Sequence, residues 1–157
     1  MAKPDTLSAD TQFSVFLASR PGVLSKIVRE LAAHKINLVA MSMMDATEHG
    51  VLRLVAEDPA SVRETLGQLD VPKTETTVLI AGLPNRPGAL AEVVERLDEA
   101  HIQVHYAYCT TGSRNGRTLG VFKVSNLNKA VQVLAERRPR RKTTATAISP
   151  KGRGHRI

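Results

Sequence analysis

The chain has no tryptophan, a single cysteine and only 3% aromatic residues. The lone Cys109 excludes an internal disulfide and a multi-thiolate zinc site. No apolar run approaches the roughly 20 residues that a membrane-spanning helix needs, so no membrane role is expected. Acids follow soon after Met1 and no apolar signal core is present; secretion is therefore not expected, and the cytoplasm is the expected compartment. The serines, histidines and acids show neither a nucleophile elbow nor a spacing that suggests catalysis. The chain is not expected to be an enzyme, and no cofactor is implied.

What is present is an ordinary folded composition: 157 residues, 42% hydrophobic and 24% charged, enough for one medium domain or two small ones. The net charge of +7 is unevenly placed. Residues 137 to 157 hold Arg137, Arg138, Arg140, Arg141, Lys142, Lys151, Arg153 and Arg156 and no acid, which leaves 14 of the 22 basic residues against all 15 acidic ones in the body. The positive charge belongs to the tail, and such a tail binds nucleic acid or acidic surfaces weakly and non-specifically.

An internal repeat organises the body. Leu17-Ala-Ser-Arg-Pro-Gly-Val-Leu24 recurs 66 positions later as Leu83-Pro-Asn-Arg-Pro-Gly-Ala-Leu90, and Ile27, Val28, Leu31 and Ile36 match Val93, Val94, Leu97 and Ile102. Beyond a longer second loop the offset becomes 70, aligning Val51–Leu54 with Val121–Val124, each run preceded by a glycine, Gly50 or Gly120.

Each copy reads as strand, helix, strand, strand, helix, strand. The first strands are expected at Phe13 to Ala18 and Thr77 to Leu83. Arg-Pro-Gly then opens a helix, with proline at the first helical position and an apolar stripe of Leu24, Ile27, Val28 and Leu31, or Leu90, Val93, Val94 and Leu97. Second strands fall at Ile36 to Met44 and Ile102 to Thr110, and third strands at Val51 to Ala56 and Val121 to Ser125. Asn115-Gly116 signals a hairpin turn. Asp58-Pro59 caps a second helix, and Asn128 caps its counterpart. The last strands are expected at Val71 to Thr76 and Thr143 to Ile148. This order gives an α+β fold of two ferredoxin-like βαββαβ repeats packed as an intrachain pair, with helices on one sheet face and the other left for a partner. The expected divisions are an extension at 1–11, repeats at 12–76 and 77–148, and a basic tail at 149–157.

Arg-Pro-Gly-x-Leu between a first strand and a first helix, twice, on this element order, resembles the ACT domain family over roughly residues 12 to 148. The chain is similar to a free-standing tandem ACT protein. The resemblance implies an allosteric, regulatory role: binding an amino acid or similar small molecule, through association or conformational change, and reporting it to an enzyme or regulator, with a homodimer as the expected state. A helix start offers unpaired N–H groups and partial positive charge to a carboxylate, and Gly22 and Gly88 carry no Cβ to obstruct it. Family ligands sit between the glycine loop of one unit and the second strand of its neighbour. The expected ligand site is therefore Asn85, Arg86, Pro87, Gly88, Ala89 and Leu90 with Asn37 and Leu38. A degenerate second site comprises Ser19, Arg20, Pro21, Gly22, Val23 and Leu24 with Gln103, since Ser19 departs from the family's Asp or Asn in the loop and Gln103 from its Asn on the second strand.

Other constellations weigh less. His101, His105 and Cys109 cluster in sequence, but His105 and Cys109 lie about 13 Å apart on an extended strand and close no metal site. Tyr106 and Tyr108 share a strand face as packing, and Met41, Met43 and Met44 read as core or interface filler. The rival class is an RNA- or DNA-associated ferredoxin-like protein using the basic tail. It would want aromatics on the central strands, where only Phe13, Phe16 and Phe122 occur.

Overall fold

A computed structural model of the chain describes residues 7–44, 49–110 and 117–136. The chain runs β1 (Leu7–Ala18), α1 (Val23–Ala33), β2 (Leu38–Met44), β3 (His49–Ala56), α2 (Pro59–Gln68), β4 (Lys73–Pro84), α3 (Ala89–Glu99), β5 (Val104–Cys109), β6 (Arg117–Val124) and α4 (Leu127–Ala135). The strands form one six-stranded sheet, ordered β2-β3-β1-β4-β6-β5 with every pairing antiparallel.

The two repeats are joined through β1 and β4, which pair from Leu7↔Ala81 to Val15↔Lys73. These end pairs are exchanged by the 66-residue offset, and at the middle Thr11 faces Thr77, its own repeat equivalent. A local pseudo-twofold therefore passes between them. The last strand of the first repeat and the first strand of the second are one uninterrupted strand. By the same symmetry, residues 7–11 flank the second half of β4, where a fourth strand of repeat 2 belongs. The first strand thus begins six residues before the expected Phe13 and takes in part of the expected extension. A strand at Thr143 to Ile148 lies outside the described residues, as does the Asn115-Gly116 turn; the β4 edge that such a strand would need is already paired.

Odd-numbered residues of β1 and β4 face the helices. Phe13, Val15, Leu17, Leu52 and Leu54 meet Ile27, Leu31, Val62 and Leu66 in one buried cluster, and Leu79, Ala81, Phe122 and Val124 meet Leu97 and Ala130 in the other. Gly120 admits this packing: a Cβ there would stand 2.5 Å from the Phe122 ring. The helix-free face is not left open, as the element order alone would have it. Ala40, Val55, Val78, Ile80 and Val121 are buried on it, with Tyr108 and Leu119 packed against them. Because Ala40 and Tyr108 come from strands at opposite ends of the sheet order, the sheet curls until the two halves of that face meet.

Two local expectations change. Pro21 and Pro87 precede the helices, whose N-caps are Gly22 and Gly88. The α4 cap is Asn126, in extended conformation, whose side chain accepts from Lys129 N; Asn128 lies inside the helix. Asp58 caps α2 as expected, accepting from Ala60 N and Ser61 N, and these hydrogen bonds, Ser61 foremost, hold its carboxyl below the usual range. Met41, Met43 and Met44 are not core: each is about half exposed on the terminal strand β2.

Candidate functional site: two glycine loops and the curled sheet face

The glycine loops share one geometry. Arg20 N donates to Ala18 O and Arg86 N to Pro84 O, both at 2.8 Å, turning the chain out of the sheet. Each proline then leads into a glycine with φ of +88° (Gly22) or +87° (Gly88). A residue with a Cβ is strained there, so the turn demands glycine for its backbone. Space is not the constraint: a Cβ on Gly22 would meet nothing within 4 Å, and one on Gly88 only Arg86 Nη1 at 4.0 Å. No side chain caps either helix. Residues 19–22 and 85–88 are exposed, Val23 and Leu24 half-buried, Ala89 buried and Leu90 exposed.

The loops differ in charge. Arg86 Nη2 donates to both carboxylate oxygens of Glu92, at 2.7 and 2.8 Å, in the first turn of α3. The first repeat has Arg20 and Lys26 at the equivalent positions, two cations where the second has a neutralised pair. Among the described residues the ion pairs are Arg63–Glu75 and Arg86–Glu92. An anion is therefore drawn more strongly to the α1 end, although Asn85 gives the second loop the richer hydrogen-bonding side chain.

Within one chain, Asn85 and Asn37 do not come together. β2 is separated from β4 by β3 and β1. Across the ladders Ala40 pairs with Val55, Val55 with Gln12 and Gln12 with Thr76, so the start of β2 is level with Thr76, while Asn85 follows Pro84 at the far end of β4. Gln103 stands in the same relation to the Ser19–Leu24 loop. The reason is the edge used: the repeats join through β1 and β4, which leaves both second strands at the two ends of the sheet order. Asn37 Nδ2 donates to Glu57 Oε1 at 2.9 Å, Leu38 packs on the first core, and Gln103 accepts at its carbonyl from Ser125 N and donates its own N–H to Ser125 Oγ.

A polar network on the curled face was not visible in the sequence. Fully buried Gln12 donates through Nε2 to Tyr106 Oη at 2.7 Å and to Ser14 Oγ at 3.2 Å, and its Oε1 accepts from Tyr108 Oη at 2.9 Å. The Arg53 guanidinium lies 4.3 Å from the Tyr106 ring centroid. Burial, then the neighbouring Tyr106, pushes the Tyr108 phenol well above its usual range, against a smaller opposite pull from Arg53. The shared face of Tyr106 and Tyr108 was the one sequence signal. Phe13 and Phe122 are fully buried, and Phe16 is partly exposed, so these rings form no stacking surface.

The duplicated loop on this curled antiparallel sheet decides the family. The ACT domain pair model matches residues 9–140. This chain belongs to the ACT domain pair family. It is similar to protein BT0572 from Bacteroides thetaiotaomicron, with a TM-score of 0.76 and 29% identity over 82% of this chain and 88% of that one. The fold is shared with the regulatory subunits of aspartate kinase from Thermus thermophilus (TM-score 0.60, 13% identity, 85% of this chain and 97% of that one) and Thermus flavus (0.59, 13%, 85% and 95%). No curated protein matches the sequence. Among the described residues, no helix is long and apolar enough to cross a membrane.

Proposed function

We propose that this chain is a small-molecule sensor that binds an amino acid at its glycine loops and signals through association or a change in the curl of the sheet. The observation that carries the reading is the duplicated helix start, uncapped by any side chain and entered through a positive-φ glycine, in a chain of the ACT domain pair family. Uncapped N–H groups and the helix dipole suit an α-carboxylate. Asn85, or in the other loop Arg20, adds a side-chain contact.

A second strand must complete each site, and neither Asn37 nor Gln103 can do so for the loops of its own chain. A neighbouring copy supplies it, so the ligand and a homodimer belong to one equilibrium. The signal passes to an enzyme or regulator; the same fold occurs in the regulatory subunit of aspartate kinase from Thermus thermophilus. A thermal-shift screen of free amino acids tests the reading. An upward shift with one of them or a small group is expected. No shift with any, together with a salt-sensitive gel shift of RNA or DNA, would favour the rival reading.

A further inference from the structure

Three methionines stand on the terminal strand β2 with similar exposure, 48% for Met41 and Met43 and 53% for Met44. Register separates them. Met41 faces Leu54 and Met43 faces Leu52 across the ladder, and both leucines belong to the helix-side core. Met44 has the opposite parity, so it stands on the helix-free face with Arg53, whose own partner is Ser42. Met44 and Arg53 are therefore diagonal neighbours on one face, and Arg53 Nη1 donates to Met44 Sδ at 3.8 Å. The same guanidinium rests on the Tyr106 ring. No carboxylate pairs with it among the described residues, where the ion pairs are Arg63–Glu75 and Arg86–Glu92. A half-buried arginine thus spends its several N–H donors on a ring face and a thioether, both weak acceptors.

We infer that Met44 is a sulfoxidation site, with hydrogen peroxide as the oxidant and Arg53 as the group that assists the step and holds the product. The exposed thioether sulfur attacks one peroxide oxygen; an S–O bond forms, the O–O bond breaks and hydroxide leaves. That hydroxide takes the proton carried over on the transferred oxygen, so the products are the sulfoxide and water. Sulfur gives up an electron pair and the peroxide accepts it. Negative charge grows on the departing oxygen, and a guanidinium beside the sulfur stabilises it. The sulfoxide is polar where the thioether was apolar, and its oxygen accepts a charge-assisted hydrogen bond from Arg53. Arg53 also rests on Tyr106, which receives the hydrogen bond of Gln12. The new bond therefore tightens the seam between the terminal strand of repeat 1 and the curled edge of repeat 2. Oxidation becomes an input to the curl of the sheet that needs no amino acid. Met41 and Met43, on the other face, are comparisons of nearly equal exposure.

The test is mild hydrogen peroxide treatment of the full chain, with the sulfoxides located and timed by fragment ions in mass spectrometry. Met44 should react about threefold to tenfold faster than Met41 or Met43. Arg53→Gln should bring Met44 down to their rate, and Arg53→Lys, which keeps a charge there, should retain part of the advantage. In the Met41→Leu/Met43→Leu variant, oxidation should raise the melting temperature by about 2 °C or more. Adding Arg53→Gln should cancel that rise, and sulfoxide reductases should reverse it. Met44 reacting no faster than its neighbours, an unchanged Met44 rate in Arg53→Gln, or a melting temperature that stays level or falls on oxidation would each overturn the assignment. The amino-acid screen is a separate measurement, so failure here leaves the ligand reading standing, and the reverse also holds.

Discussion

Gln12 Nε2 donates to Tyr106 Oη at 2.7 Å, although β4 and β6 separate their strands in the sheet order. Only a sheet curled back on itself brings them together. Tyr108 Oη completes the tie by donating to Gln12 Oε1, so the edge of repeat 2 is fastened to the middle of repeat 1. Replacing Gln12 by leucine should lower the unfolding free energy by about 1–3 kcal/mol, since it strands two phenol groups. Tyr106→Phe should cost about 1 kcal/mol. Urea unfolding measures both, and additive losses in the double variant would show that the two residues do not act as a pair.

Stability should fall at high pH. The folded-state pKa of Tyr108 is raised from a reference of 10.0, so the folded chain holds the phenol proton more tightly than the unfolded one. Its contribution is complete below pH about 10 and declines above it, by at most about 1.4 kcal/mol per pH unit. Tyr108→Phe should flatten this decline. An unchanged slope in the variant would assign the loss to other groups.

The glycines should respond for different reasons. At Gly22 and Gly88 the backbone is left-handed but space is free, so alanine should cost about 1–2 kcal/mol and asparagine less. At Gly120 the Phe122 ring blocks a Cβ, so alanine and asparagine should both destabilise. Thermal melts that ranked all three sites alike would contradict this.

Ligand contacts should be separable by calorimetry once the screen has supplied an amino acid. Asn85→Ala or Asn37→Ala should weaken binding roughly tenfold to a hundredfold, the loss of a buried hydrogen bond of about 1–3 kcal/mol. Gly88→Asp should act more strongly at the same site, and Gly22→Asp should remove the Arg20 loop. Binding lost in Gly22→Asp alone would leave the cationic loop as the working one.

Truncations distinguish the two ends of the chain. Removing residues 1–12 takes away the strand that flanks the second half of β4 and should unfold repeat 2, seen as loss of its core in hydrogen exchange. Ending the chain after Pro139 should leave the melting temperature nearly unchanged, because that edge of β4 is already paired. A large drop on the C-terminal deletion would restore a structural role to the segment around Thr143 to Ile148.

The repeat, most strand and helix positions and the two glycine loops are legible in the residues alone; the fourth strand of the second repeat is not. The legible parts are local matters: apolar spacing, a cap at Asp58, and a turn that only glycine accommodates, all written within a few residues of where they act. Tertiary structure decided which edges meet. Nothing local says that Leu7 to Thr11 extends β1, because those residues are strand only when β4 lies beside them. Nor does parity reveal that Gln12, alternating with Phe13 and Val15 as a solvent-facing residue would, ends fully buried. The curl that buries it depends on pairing between strands far apart in the chain. The choice of the β1–β4 edge sent both second strands to the ends of the sheet order, and that geometry separated Asn85 from Asn37.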